Sequence, residues 1–327
     1  LLFNSYGVLA IAWGIFFTGL ITVIGNIFLC AYLIKYLKIR LTLNWIFFKK
    51  FSSIFSYTFT SKVASVAVEK SDLIIISRIL GHETVIVYEL TRRPIKIAFD
   101  LLNKISVALM PAISNLHGMK SHIRLKSIFK NFNNYIYWAG VLISILFILF
   151  NESLIRLWLG STELYIGTSL STLLVLAYFS RSHFYNLSNI AFAIGNIKGH
   201  STILVIKSVI YVALLIMMTH AWGFLGVILS LLISTLLSDA WYYPINLKKS
   251  LNLKFSSGDV RFFIPSTVIL IVCLFLQDSM NLTNWLTLFV FCGLTCVIYV
   301  CILYASIPAF RLDLTKLVKK AITYFNG

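Results

Sequence analysis

The chain has 327 residues, 59% hydrophobic and only 12% charged, with a mean hydropathy of +0.89 and a net charge of +17 (pI about 9.7). Soluble domains carry about 25% charged residues, so the composition excludes a soluble globular protein, and no alternating strand pattern points to an outer-membrane barrel. What remains is an all-α polytopic membrane bundle, with the excess of base assigned to cytoplasmic loops rather than to nucleic-acid binding.

Hydrophobic runs predict nine spans, near 8–34, 51–76, 85–112, 134–150, 165–190, 201–219, 222–246, 262–280 and 284–306. The five cysteines, Cys30, Cys273, Cys292, Cys296 and Cys301, all lie in apolar runs and read as buried small hydrophobes. His117 and His122 share a loop without acidic company, so no metal site, no cofactor and no catalytic residue is expected.

The connections sort by charge. One set carries Lys35, Lys38, Arg40, Lys49 and Lys50, then Lys120, Arg124, Lys126 and Lys130, then Lys198, then Lys248, Lys249, Lys254 and Arg261. The tail adds Arg311, Lys316, Lys319 and Lys320, while the alternate connections are nearly bare of base. The positive-inside rule makes the basic set and the C-terminus cytoplasmic. Binding of anionic lipid headgroups is the other reading of these loops. The tail "FRLDLTKLVKKAITYF" has the pattern of an interfacial amphipathic helix.

An internal echo suggests a longer plan. Gly7 and Gly223 each follow an aromatic residue and open a helix with small residues in its first turns and lysines at its exit. The two lie 216 residues and six spans apart, which preserves orientation, as in transporters built from two six-helix halves. Residues 1–36 are then the last helix of an N-terminal lobe and 47–250 a C-terminal six-helix lobe. Residues 262–306 form two added helices and 307–327 a basic cytoplasmic tail. On that plan five preceding helices are expected to be missing from the chain, and its start at Leu1 rather than Met also suggests a fragment.

Two of the spans carry charge. At about 100° per residue, Glu89, Arg93, Lys96, Asp100 and Lys104 fall in one stripe roughly 80° wide, with Arg92 and Asn103 at its edges. The preceding span repeats this with Thr58, Lys62, Ser65, Glu69 and Asp72. Within the predicted spans or at their ends, nine cations (Lys62, Lys70, Arg78, Arg92, Arg93, Lys96, Lys104, Arg181 and Lys207) stand against five carboxylates (Glu69, Asp72, Glu89, Asp100 and Asp239). Each charge left in hydrocarbon costs at least about 2.5–3.5 kcal/mol, so the stripes must face an interior. One reading is neutralising ion pairs, with Glu89–Arg93 and Lys96–Asp100 at the right i, i+4 spacing. The other is a hydrated cavity receiving an anionic substrate, which also accounts for the surplus of base.

At these residues the chain resembles a known group. The stretch "SDLIIISRILGHETVIVYELTRRPIKIAFDLLNKISVALMPAISNL", with Asp72 before an isoleucine run, Leu80–Gly81, Tyr88, Pro111 and Ser114, is similar to the oligosaccharide-lipid flippases of the polysaccharide exporters. That group belongs to the superfamily that also holds the multidrug and toxin extruders. "LIRLWLG" and the stretch beginning "NIAFAIGN" agree with it, so the resemblance extends over nearly the whole chain.

The resemblance implies a two-lobed transporter of 12 to 14 helices in the bacterial inner membrane, working by alternating access. Its substrate would be an undecaprenyl-diphosphate-linked oligosaccharide, an O-antigen (lipopolysaccharide) or capsule repeat unit. Lys62, Arg92, Arg93, Lys96, Lys104, Arg181 and Lys207 would contact the substrate. Glu69, Asp72 and Asp100 would take a coupling proton or sodium ion. Membrane lipids and polysaccharide polymerase machinery are the expected partners, and nucleic acid is not. A cation-coupled multidrug exporter is the alternative. A membrane glycosyltransferase or polymerase would need a large carboxylate-bearing loop, which the chain lacks.

Overall fold

A computed structural model describes residues 7–38, 45–252, 263–276, 282–308 and 310–311. The expected amphipathic tail, with Lys254 and Arg261, falls almost wholly outside these residues. The chain divides into two compact units, Leu1–Ser53 and Ile54–Gly327. The described residues form eight helices and no strand: α1 (Gly7–Tyr36), α2 (Trp45–Ile79), α3 (His82–Gly118), α4 (His122–Leu159), α5 (Thr168–Ala193), α6 (Ile197–Leu251), α7 (Ile264–Leu276) and α8 (Trp285–Ser306). The protein is an all-α polytopic membrane protein.

Helix α1 is apolar on every side, as a lipid-facing span must be. Two of its hydroxyls are masked locally: Thr18 donates to the Gly14 carbonyl and Thr22 to that of Thr18, both at 2.7 Å. Five helices (α1, α3, α4, α6 and α8) are long and apolar enough to cross a membrane. Helices α2 and α5, both expected as spans, fall short of that measure because charged and hydroxyl residues interrupt the apolar run of α2 and the inward face of α5 is polar. Buried Ser171, Thr172, Ser182, Asn186, Ser188 and Asn189 of α5 meet protein instead of lipid. The cysteine expectation holds fully only for Cys273, since Cys30 and Cys301 are exposed on apolar helix surfaces.

Within the second unit α5 is the hub. It packs on α3, α4 and α6, while α4 carries the α7–α8 pair on its far side. The hub is sealed by aliphatic and aromatic side chains, among them Ile95, Phe99, Ile145, Leu174, Ile190 and Leu215. The added pair is docked by Tyr299, whose hydroxyl donates to the Trp138 carbonyl (3.0 Å) and accepts from the Ser266 hydroxyl (3.2 Å). Helix α3 stays helical through Pro94 and Pro111.

The two spans expected at 201–219 and 222–246 appear as one element, α6, folded at Gly223. Its 55 residues would reach about 80 Å if straight, against a hydrocarbon core of about 30 Å. Gly223, at φ 56° and ψ −130°, supplies a bend that a residue with a Cβ rarely adopts. Three residues on, Gly226 lies against the backbone of Met218 and Thr219, where a Cβ would overlap. The absence of a side chain there lets the arms close.

Gly226→Ala is therefore expected to destabilise the protein by about 1–3 kcal/mol, the usual cost of overpacking. Thermal unfolding in detergent reads this directly. Gly293→Ala on α8, where a Cβ meets nothing within 4 Å, is the matched control, and equal midpoints for the two variants would show that the turn has room.

Candidate functional site

The charged residues of α2 and α3 divide into a sealed layer and an open one. On α2 the buried positions are Ser61, Ala64, Val68, Asp72 and Ile76, a three-to-four residue spacing that turns one face inward. Asp72 lies on that face and meets Arg92 of α3, with the two side chains 6% and 4% exposed. Arg92 also binds Glu89, one turn earlier on its own helix. The Leu73 N–H (2.8 Å) and the Tyr88 hydroxyl (3.4 Å) donate to the Asp72 carboxylate. The Arg92 guanidinium covers the Tyr88 ring at 5.1 Å, and that ring stacks on Phe224 of α6.

Glu89 thus pairs with Arg92, not with Arg93 as its i, i+4 spacing suggested. The reason is angular. Arg92 shares the inward arc of α3 with Tyr88, Ile95 and Phe99, whereas Arg93 lies about 100° further round and is exposed. Lys96–Asp100 forms as expected, at 2.5 Å.

Below this layer two adjoining cavities of about 270 and 290 Å³ open between α2, α3, α5 and α6. They share Lys62, Ser65, Glu69, Arg181 and Tyr185 as common wall. Three ion pairs line them: Lys96–Asp100, Arg181–Glu69 at 3.6 Å, and Lys207–Asp239, which joins the two arms of α6. Arg181 also covers the Tyr178 ring at 5.9 Å. Lys62 and Lys104 are different. Both line the wall, and neither has a carboxylate within ion-pair distance among the described residues.

Of the expected substrate contacts, Lys62, Lys96, Lys104, Arg181 and Lys207 come together around this space. Arg92 is locked in the sealed layer, and Arg93 lies outside both cavities. Among the expected ion-coupling carboxylates, Glu69 and Asp100 face the cavities and Asp72 is enclosed. Other wall residues were not anticipated as site residues, among them Asn103, Tyr185 and His200. Asn103 was visible at the edge of the charged stripe, and Tyr185 follows Arg181 by one turn. His200, bonded through Nδ1 to the Tyr243 hydroxyl at 3.1 Å, gave no periodic signal.

Removing one member of a buried pair costs about 3–5 kcal/mol, because the other is left charged and unpartnered. Arg92→Met should lose folding stability on that scale, and Arg92→Met with Asp72→Asn should recover much of it. Unfolding of the purified protein measures both, and a double variant no more stable than the single would deny the pair its role.

A family described as "Polysaccharide biosynthesis protein" matches residues 1–166, from the N-terminus through α4. The match takes in Asp72, Gly81, Tyr88 and "LIRLWLG" and stops before the stretch beginning "NIAFAIGN". No curated protein and no solved structure matches the chain. Three of the residues that carry the resemblance are joints of the α2–α3 hairpin: Asp72 receives Arg92, Gly81 turns the chain at φ 101°, and Tyr88 stacks under the guanidinium. With half of its length matched and a multi-pass helical fold around a charged cavity, the chain belongs to the polysaccharide biosynthesis protein family.

Proposed function

We propose that the protein is a flippase. It would carry an undecaprenyl-diphosphate-linked oligosaccharide, an O-antigen or capsule repeat unit, from the cytoplasmic to the periplasmic leaflet of the bacterial inner membrane. The observation that carries this reading is the pair of unneutralised lysines, Lys62 and Lys104, on a cavity wall whose other charges are paired. Unpaired cations within membrane protein are costly unless water or an anion meets them. A diphosphate supplies that anion, and the lipid tail can stay in the bilayer while the glycan enters the cavity.

In this reading Lys96, Arg181 and Lys207 exchange part of their carboxylate contact for substrate as it arrives, and Arg92 braces the wall. Arg93 would meet substrate only outside the cavities. A coupling proton or sodium ion would use Glu69 or Asp100, which line the cavity, or Asp72 if the sealed layer opens. Movement between leaflets needs alternating access and no covalent step, so the protein is no enzyme in this scheme. The C-terminus lies in the cytoplasm, and the product passes to polysaccharide polymerase machinery. A cation-coupled multidrug exporter would need free carboxylates for its cargo. Glu69, Asp100 and Asp239 each already hold a base, which favours the anionic substrate.

The test is complementation of a strain lacking the gene, read as surface polysaccharide. Wild type and Arg93→Ala should restore the polymer. Lys62→Glu with Lys104→Glu should leave it at background while reaching the membrane at wild-type level. Full restoration by that double variant would remove the cavity from the substrate path, and failure of wild type would refute the substrate class.

A further inference from the structure

The wall beside Lys104 holds an uncharged group whose orientation is fixed by a relay of hydrogen bonds. Asn186 of α5 donates from Nδ2 to the backbone carbonyl of Ser182 at 2.7 Å. A carbonyl can only accept, so this bond settles which end of the Asn186 amide carries the N–H groups. The same Nδ2 donates to Asn103 Oδ1 at 3.0 Å, and the Ser182 hydroxyl donates to that oxygen at 2.6 Å. Both lone pairs of the Asn103 oxygen are thereby occupied.

The Asn103 NH2 is then the end left over. It meets no acceptor among the described residues, and Asn103 lines the cavity. The relay has a cost: Asn186 is 2% exposed and its Oδ1 is buried without a partner. An unsatisfied buried acceptor is destabilising, so a folded protein that keeps one is spending stability to hold something else in place. What is held is a pair of neutral N–H donors next to an unneutralised lysine. Tyr185, 43% exposed, lines the same cavity.

We propose that Asn103 is a specificity-determining residue that donates a hydrogen bond to an acceptor oxygen of the substrate's sugar, beside the anion that Lys104 attracts, with the Tyr185 ring as an apolar face for the sugar. This rests on the lipid-linked oligosaccharide reading above. It assigns the cavity two jobs: the lysines sense the phosphate common to all such lipids, and Asn103 senses that a sugar is attached. Ser182 and Asn186 are positioning residues that act through Asn103.

The test is equilibrium binding to the full chain in nanodiscs, with undecaprenyl diphosphate and the same lipid bearing one N-acetylglucosamine as the two probes. Wild type should bind the glycosylated probe about five- to tenfold more tightly, the worth of one or two neutral hydrogen bonds. Asn103→Ala should abolish the difference and leave the bare lipid diphosphate unchanged. Ser182→Ala, which removes one of the two hydrogen bonds that orient the Asn103 amide, should reduce the difference and leave binding of the bare lipid diphosphate unchanged. Equal loss for both probes in Asn103→Ala, or an unchanged preference in both variants, overturns the assignment. If wild type binds the bare probe and shows no preference, the sugar subsite fails while the anion cavity stands. If it binds neither, the lipid-linked reading fails and takes this assignment with it.

Discussion

Arg92 sits in the interior of an apolar lobe, held between Asp72 and Glu89. A lone guanidinium there would oppose insertion and packing alike, and so would a lone Asp72. Bound together, and enclosed by Tyr88 and Phe224, they turn two unfavourable groups into the joint between α2 and α3. The position of that joint settles which faces of the two helices turn inward. It thereby sets where Lys62, Glu69, Lys96 and Lys104 must stand.

Seen from that joint, the charges of the lobe fall into two populations. Arg92 and Asp72 in the sealed layer bind each other and have little room. Those on the cavity wall are only partly matched: Lys96, Arg181 and Lys207 each hold a carboxylate, and Lys62 and Lys104 hold none among the described residues. The distinction bears on how a membrane protein can handle a charged ligand at all: a wall with every charge satisfied would offer an anion nothing, and a wall with none satisfied would not fold. Pairing three of the bases and leaving Lys62 and Lys104 open lies between these extremes.

Much of the fold was legible from residue pattern. Each of the nine expected spans overlaps a described helix, two of them sharing α6, although only five of the eight helices are long and apolar enough to cross a membrane. The single glycine that folds α6 was recognised as a helix start without its conformation being readable. Helix-wheel angles brought Lys62, Glu69, Lys96, Asp100 and Lys104 to one cavity wall, yet they set Arg93 in the stripe and Arg92 at its edge, the reverse of where the structure places them. Neighbouring arginines differ in sequence by one position and in space by a quarter turn and more, and only the packing of Tyr88, Ile95 and Phe99 decides which one goes inside. The Asn103 relay was hidden for a related reason. It depends on Ser182 and Asn186, about eighty positions away, and neutral residues leave no mark on a charge count.

The fold of α6 at Gly223 bears on how the protein enters the bilayer in the first place. Lys207 lies on one arm and Asp239 on the other, and they meet as an enclosed pair only once the arms are antiparallel. Delivered one at a time, each arm would present a bare charge to the hydrocarbon, at about 2.5–3.5 kcal/mol apiece. Delivered as a closed hairpin, the two cross with their charges already cancelled. The turn at Gly223, with the close approach at Gly226, makes the hairpin the natural unit of insertion, so the order in which the chain leaves the ribosome and the order in which it becomes stable in lipid need not be the same.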